Sequence, residues 1–256
     1  MRRFVVALSP ALALLAGLAV TPVSLAQGWG TVKGQVVFPG EPPARAKLDV
    51  NKDKDACLAK GPLYSEACIV NPKNKGVKNV VVWLLDPSGK FAKKLPVHPA
   101  LKDAKLADAE LDQPCCQFTP HVLALREGQS MVIKNSAPVS HNVNVLGGLK
   151  GPNFNVILPP GGKRIVPADD LPARPTPITV RCDIHPWMNA WIRVFPHPYF
   201  AVTDEDGSFT IPNAPAGEYR LVVWQESVGW VNGGTQGTPV TIKDNGVTDL
   251  GQIPLK

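Results

Sequence analysis

Within seven residues, Cys182-Asp183-Ile184-His185-Pro186-Trp187-Met188, the chain places a thiol, an imidazole and a thioether at successive spacings of three. Thiolate and thioether are soft donors, and a Cys–His set with a weak axial Met suits copper that cycles between Cu(I) and Cu(II). The triplet lacks one equatorial donor. His141, in Ser140-His141-Asn142-Val143-Asn144-Val145, is the best candidate for it. Other chemistries fit less well. Met is a poor zinc ligand. One Cys in the loop argues against a binuclear copper centre. No third orienting group or oxyanion element accompanies Cys182 and His185, as a nucleophilic pair would need. A copper oxidase would need a second cluster with several more histidines, and the chain has 5 His in all. The expectation is one copper ion and no enzymatic turnover.

Such a loop needs strands at both ends. Ile178–Cys182 leads in and Ala190–Phe195 leads out, both short and apolar. Upstream, His121–Arg126, Ser130–Asn135, the His141 segment, Asn153–Leu158 and Lys163–Val166 follow one another with turn residues between them, a sandwich-like density of strands. Gly30–Phe38 alternates and ends at Pro39-Gly40, and Asn79–Leu85 is a continuous apolar run of the kind a well-buried strand shows. Residues 41–77 are polar with few periodic features. Residues 100–111 suit a short helix or a loop. His121 follows a cysteine pair at a strand start, where it is either a structural hydrogen-bonding residue or a further ligand or redox relay. His98 and His197 each precede a proline and read as loop residues. Asp204-Glu205-Asp206-Gly207 reads as a hairpin turn, because it lacks the spacing of a twelve-residue calcium loop.

With those residues in view, Ile178–Val194 resembles the C-terminal copper loop of cupredoxins, and its C-x-x-H-P-x-M form is similar to that of amicyanins. The His141-Asn142-Val143 element resembles the plastocyanin-type segment that holds the first His ligand. The wider pattern resembles an exported, methylamine-utilisation-like group of bacterial cupredoxin-domain proteins. It includes Phe118-x-Pro120-His121-Val122, Asn135-Ser136 and His197-Pro-Tyr-Phe-Ala-Val-Thr-Asp-Glu-Asp-Gly207. The resemblance implies His141, Cys182 and His185 as equatorial copper ligands and Met188 as the axial one. Asn142 is the natural residue to tie the His141 strand to the Cys182 loop. Pro186 and Trp187 beside His185 imply an apolar rim for a transient redox partner. Residues 199–256 resemble a transthyretin-like module of the carboxypeptidase regulatory-like class, on the cues T-D-E-D-G-S-F-T-I-P and P-A-G-E-Y-R-L-V-V-W. Such modules usually open with a G-x-V-x-G-x-V strand, and this chain has one at Gly30–Val36. The implied fold is all-β: a Greek-key cupredoxin sandwich over 108–197 plus a small transthyretin-like β-sandwich. The latter is either discontinuous, about 28–90 with 198–256, or a terminal module after a continuous cupredoxin.

The ends and the composition set the compartment. Met1-Arg2-Arg3, an apolar run from Phe4 to Val20 and Ser24-Leu25-Ala26 read as a secretory signal peptide over 1–26, with cleavage near Ala26. No later stretch is apolar enough to span a bilayer, so the expected location is periplasmic or otherwise exported. Loss of Arg2 and Arg3 takes the formal net charge from +6 to +4, mildly basic and without a Lys/Arg block of the kind that binds nucleic acid. With 27 Pro and 22 Gly the chain is turn-rich. An oxidising compartment favours disulfides. If Cys182 binds metal, Cys57 or Cys68 pairs with Cys115 or Cys116, and the spacing does not choose between them. The functional expectation is an electron-transfer protein, the alternative a non-redox copper carrier or an envelope interaction module.

Overall fold

Alternating and continuous apolar runs become strands close to the spans their patterns predict. The computed structural model describes residues 27–91, 94–102, 106–231 and 233–256, so the expected signal segment lies outside the described residues. The chain is all-β. Its middle part forms two facing sheets. One has the order Val122–Arg126, Asn189–Phe195, Ile178–Arg181, His141–Leu146, Asn153–Leu158; the other is Lys163–Val166, Met131–Lys134, Ala109–Leu111. Val122–Arg126 runs parallel to Asn189–Phe195, whereas the other neighbours in the five-stranded sheet are antiparallel. The inward residues, among them Leu111, Leu125, Met131, Ile133, Val143, Val145, Ile178, Val180 and Ile192, are fully buried. That is the alternation a packed sandwich requires.

The two ends of the chain pair with each other. Trp29–Val37 lies between Ser208–Pro215, antiparallel, and Val247–Pro254, parallel. Val81–Leu85 is buried along its whole length and sits between Phe200–Val202 and Gly217–Gln225. Gly229–Val231 and Thr238–Ile242 also pair with Gly217–Gln225. Where this part meets the middle sandwich the contact is aromatic. Trp83, Phe195 and Trp224 pack with Val81, Leu85, Val122 and Val222. Arg193, fully buried, lies 4.7 Å above the Trp83 ring and 5.5 Å from that of Trp230. Burial pulls its guanidinium down to about 9. Nη1 donates to Pro175 O at 2.7 Å, the one hydrogen bond its side chain makes among the described residues.

Two stretches depart from expectation. Among the described residues around 100–111, Pro99–Lys102 is a short helix and Ala109–Leu111 is a strand parallel to Met131–Lys134. Three residues are too few for a period of two to register. The polar 41–77 segment is a wrap with apolar anchors. Val50, Cys57 and Leu63, with Leu48 and Leu58 beside them, enter the core of the middle sandwich. A disulfide, Cys57–Cys116, fastens the wrap, leaving Cys68 and Cys115 free. Among the described residues, no helix is long and apolar enough to cross a membrane.

Candidate metal centre

Antiparallel pairing sets Arg181 opposite Asn144 and Val180 opposite Val145. Continuing that register past the end of the strand brings Asp183 beside Asn142, and a single side chain locks the junction. Asn142 Oδ1 accepts the backbone N–H of Asp183 at 2.6 Å and of Ile184 at 3.0 Å, and lies 3.3 Å from Cys182 Sγ. Asp183 completes the clasp: its carboxylate accepts from Asn142, Asn144 and Asn155 Nδ2 at 2.8–3.0 Å. These amides, Asn144 foremost, hold it below the usual carboxylate range. The loop then closes on itself. The Met188 N–H donates to His185 O at 2.9 Å, and the Cys182 N–H to Met188 O at 3.2 Å. The His185 N–H points at Cys182 Sγ, 3.4 Å away.

Cys182, His141, His185 and Met188 are all buried. His185 Nδ1 lies 4.0 Å from Cys182 Sγ, and the His141 and His185 rings meet edge to face at 4.8 Å. The tautomer of His141 follows from its neighbour. Asn135 Nδ2 donates to Val139 O and Leu158 O, so its Oδ1 is the acceptor facing His141 Nδ1 at 3.2 Å. The proton therefore sits on Nδ1. Nε2 keeps a buried lone pair with no partner. Desolvation, reinforced by His185, pulls His141 down to about 4, so it is neutral at pH 7. A buried thiol, two imidazoles and an unsatisfied lone pair fit a soft cation in donor type.

Of the residues at the expected rim, Pro186 is exposed and Trp187 half-buried, whereas His185 is wholly covered, with 0% exposure. The cover is Asp53, carried by the wrap: its Oδ2 lies 2.8 Å from His185 Nε2. Asp53 sits in the left-handed region, φ 45°, a conformation a non-glycine residue adopts at a cost. Among the described residues, the three donors found within 4.8 Å of one another are His185, Cys57 and Cys116. The two sulfurs of that set are spent in the disulfide, so the thiol available to a metal beside His185 is Cys182. Asp53 had no motif to announce it. Asn135 was visible as part of an Asn-Ser element, though not in this role.

Of the remaining histidines, His197 is a core residue: Nε2 meets Leu84 O at 3.0 Å and Nδ1 accepts the Tyr199 N–H. His98 accepts the Ala100 N–H in a local turn.

A family model described as polysaccharide lyase family 4, domain II, matches residues 196–250. No comparison supports the transthyretin-like module expected over this stretch. Among solved structures, the chain is similar to a purple cupredoxin from Nitrosopumilus maritimus, with 19% identity over 34% of this chain and 99% of that one, at a TM-score of 0.29. It is similar to a point mutant of amicyanin in its Cu(I) form, with 16% identity over 41% and 96%, at 0.30. It is also similar to a Cu-containing nitrite reductase from Thermus scotoductus SA-01, with 21% identity over 43% of this chain and 27% of that one, at 0.31. At these identities the likeness is one of fold. No curated protein matches.

Proposed function

We propose that this chain is an exported electron-transfer protein with a mononuclear type 1 copper site and no substrate turnover. Cys182, His141 and His185 would be the equatorial ligands and Met188 the axial one. The supporting observation is the buried Cys182 thiol beside His185 Nδ1, with the His141 ring, whose Nε2 has no hydrogen-bond partner, 4.8 Å from that of His185. Copper bound there would supply one-electron chemistry between Cu(I) and Cu(II).

The protein's own residues have three tasks in this reading. Asn142 and the Met188 backbone hold the Cys182 loop so that the donors do not reorganise between oxidation states. Asn135 and Asp53 fix the tautomers of His141 and His185. Trp187, half-buried with its ring centroid 5.0 Å from that of His185, offers a path from the covered imidazole to the rim. A partner would dock over Trp187 and the exposed Pro186. The visible spectrum of the oxidised, copper-loaded protein tests this reading: an intense thiolate-to-copper band, lost in Cys182→Ser, is expected. A colourless protein that binds copper elsewhere would overturn it.

The burial of His185 favours a second reading, a copper-holding protein without electron exchange. Such a protein would show the same band with negligible self-exchange.

A further inference from the structure

His121 lies outside the loop and belongs to a different constellation. It heads the strand Val122–Arg126, its side chain is 2% exposed, and it is flanked by two carboxylates from distant parts of the chain. On one side Nε2 meets Glu226 Oε1, just past the strand Gly217–Gln225, and the other Glu226 oxygen accepts Trp191 Nε1–H. Glu226 thus takes two N–H groups, one on each oxygen, so a His121 proton sits on Nε2. On the other side Nδ1 is buried with no hydrogen-bond partner. It faces Glu66 Oε2 at 3.8 Å, across a cavity of about 20 Å³ also lined by Ser65, Gln117 and Asn189. That volume suits one water-sized occupant.

In the neutral imidazole with its proton on Nε2, Nδ1 is an acceptor facing a second acceptor across this gap. Burial, the largest influence on it, raises Glu66 above the usual carboxylate range, and His121 is the first of the charges that oppose the rise. The other nearby cations are engaged elsewhere: Arg45 donates to Ser65 O and Tyr64 O, and Lys78 pairs with Glu205. Gln117 Nε2 donates to Glu66 Oε2 at 3.3 Å, which neutralises no charge. An imidazole whose far nitrogen is anchored on a carboxylate and whose near nitrogen presents a lone pair is the arrangement that orients a metal-ligating histidine. Imidazole with carboxylate suits a borderline divalent ion such as zinc.

We propose that His121 Nδ1 and Glu66 hold a divalent transition-metal ion, with Glu226 as the positioning residue behind His121. The ion would join the wrap, the middle sandwich and the terminal part of the chain, one residue from each. Its role is to pin these three segments together behind Trp187 and Met188, which line the same cavity.

The experiment titrates Zn²⁺ alone into the full copper-loaded protein and counts bound ions by native mass spectrometry, alongside thermal melts. One zinc equivalent beyond copper is expected, with a rise in Tm, because the ion binds the folded state only. His121→Ala and the near-isosteric Glu66→Gln should each weaken zinc binding at least about tenfold and abolish the rise. Cys182→Ser should keep both, which separates this site from the copper loop whether or not copper binds there. The proposal is overturned if wild type and Cys182→Ser take up no such zinc, or if uptake survives both His121→Ala and Glu66→Gln. It is equally overturned if ¹⁵N spectra under saturating zinc show His121 protonated on both nitrogens, an imidazolium bridging two carboxylates.

Discussion

Asp53 Oδ2 and His185 Nε2 lie 2.8 Å apart, although 132 residues separate them in the chain. The contact exists because the disulfide Cys57–Cys116 fastens the wrap four residues after Asp53, and because Val50 and Leu63 bury themselves in the sandwich on either side. A carboxylate accepting Nε2–H leaves Nδ1 unprotonated and turned toward Cys182. One residue therefore shields the imidazole from water and selects the nitrogen that would ligate copper in the proposed site.

Asp53→Ala should lower Cu(II) affinity by about 10–100-fold, the usual cost of losing the partner of a ligating histidine. Competition against a chelator of known affinity measures it. Affinity unchanged in the variant would mean that Asp53 is only a cover. The side chain is 36% exposed, so the fold should tolerate the substitution, and an unchanged circular dichroism melt would show that it has.

Asn142→Ala removes the acceptor of two backbone N–H groups. Leaving such groups unpaired costs about 1–3 kcal/mol each when buried. The effect should fall on both stability and the site: a lower denaturation midpoint, and a broadened thiolate-to-copper band as the Cys182 loop loses its fixed geometry. A variant with wild-type stability and spectrum would remove Asn142 from the account.

Met188→Leu should keep copper and colour and raise the reduction potential. Leu fills nearly the same buried volume, and losing a weak thioether donor withdraws electron density from Cu(II) more than from Cu(I). Voltammetry on both forms reads the shift. Complete loss of copper in the variant would make Met188 an essential ligand.

How far the sequence reached depends on how local each feature is. The loop donors sit within seven residues and between two strands, so the pattern and its supporting strands could be read together. Asn142 was legible because it adjoins His141. Asp53, Glu66 and Glu226 were not, because each meets its histidine only through tertiary folding, and a polar stretch such as 41–77 carries no periodicity that distinguishes a wrap from a loop. Its anchors, Leu48, Val50, Leu58 and Leu63, are too irregularly spaced to form a face. His197 does lie in the loop between Asn189–Phe195 and Phe200–Val202, as its proline neighbour suggests, but its burial was not legible, because Leu84 O and the Tyr199 N–H satisfy both ring nitrogens only through tertiary folding. Strands 229–231, 238–242 and 247–254 are interrupted by Gly and Pro and gain their order from pairing with Gly217–Gln225 and Trp29–Val37.

His197 should make stability depend on pH. Burial pulls it from its ordinary 6.5 down to about 4 in the folded protein. Above pH 6.5 both folded and unfolded chains hold it neutral, and its full contribution is present. Between pH 6.5 and about 4 the unfolded chain takes up the proton and the folded one does not, so stability falls on acidification; below about 4 no further loss comes from this residue. The shift corresponds to about 3 kcal/mol across that window, at 1.36 kcal/mol per unit. His197→Gln can still donate to Leu84 O and does not titrate. The difference in unfolding free energy between wild type and variant, from urea denaturation at intervals between pH 7.5 and 4, isolates His197 from every other group that titrates in both. Wild type should lose ground to the variant steadily as pH falls through this range. A difference that stays constant with pH would mean that His197 takes up its proton in the folded core as readily as in the unfolded chain, contrary to its burial and to the Tyr199 N–H that Nδ1 accepts.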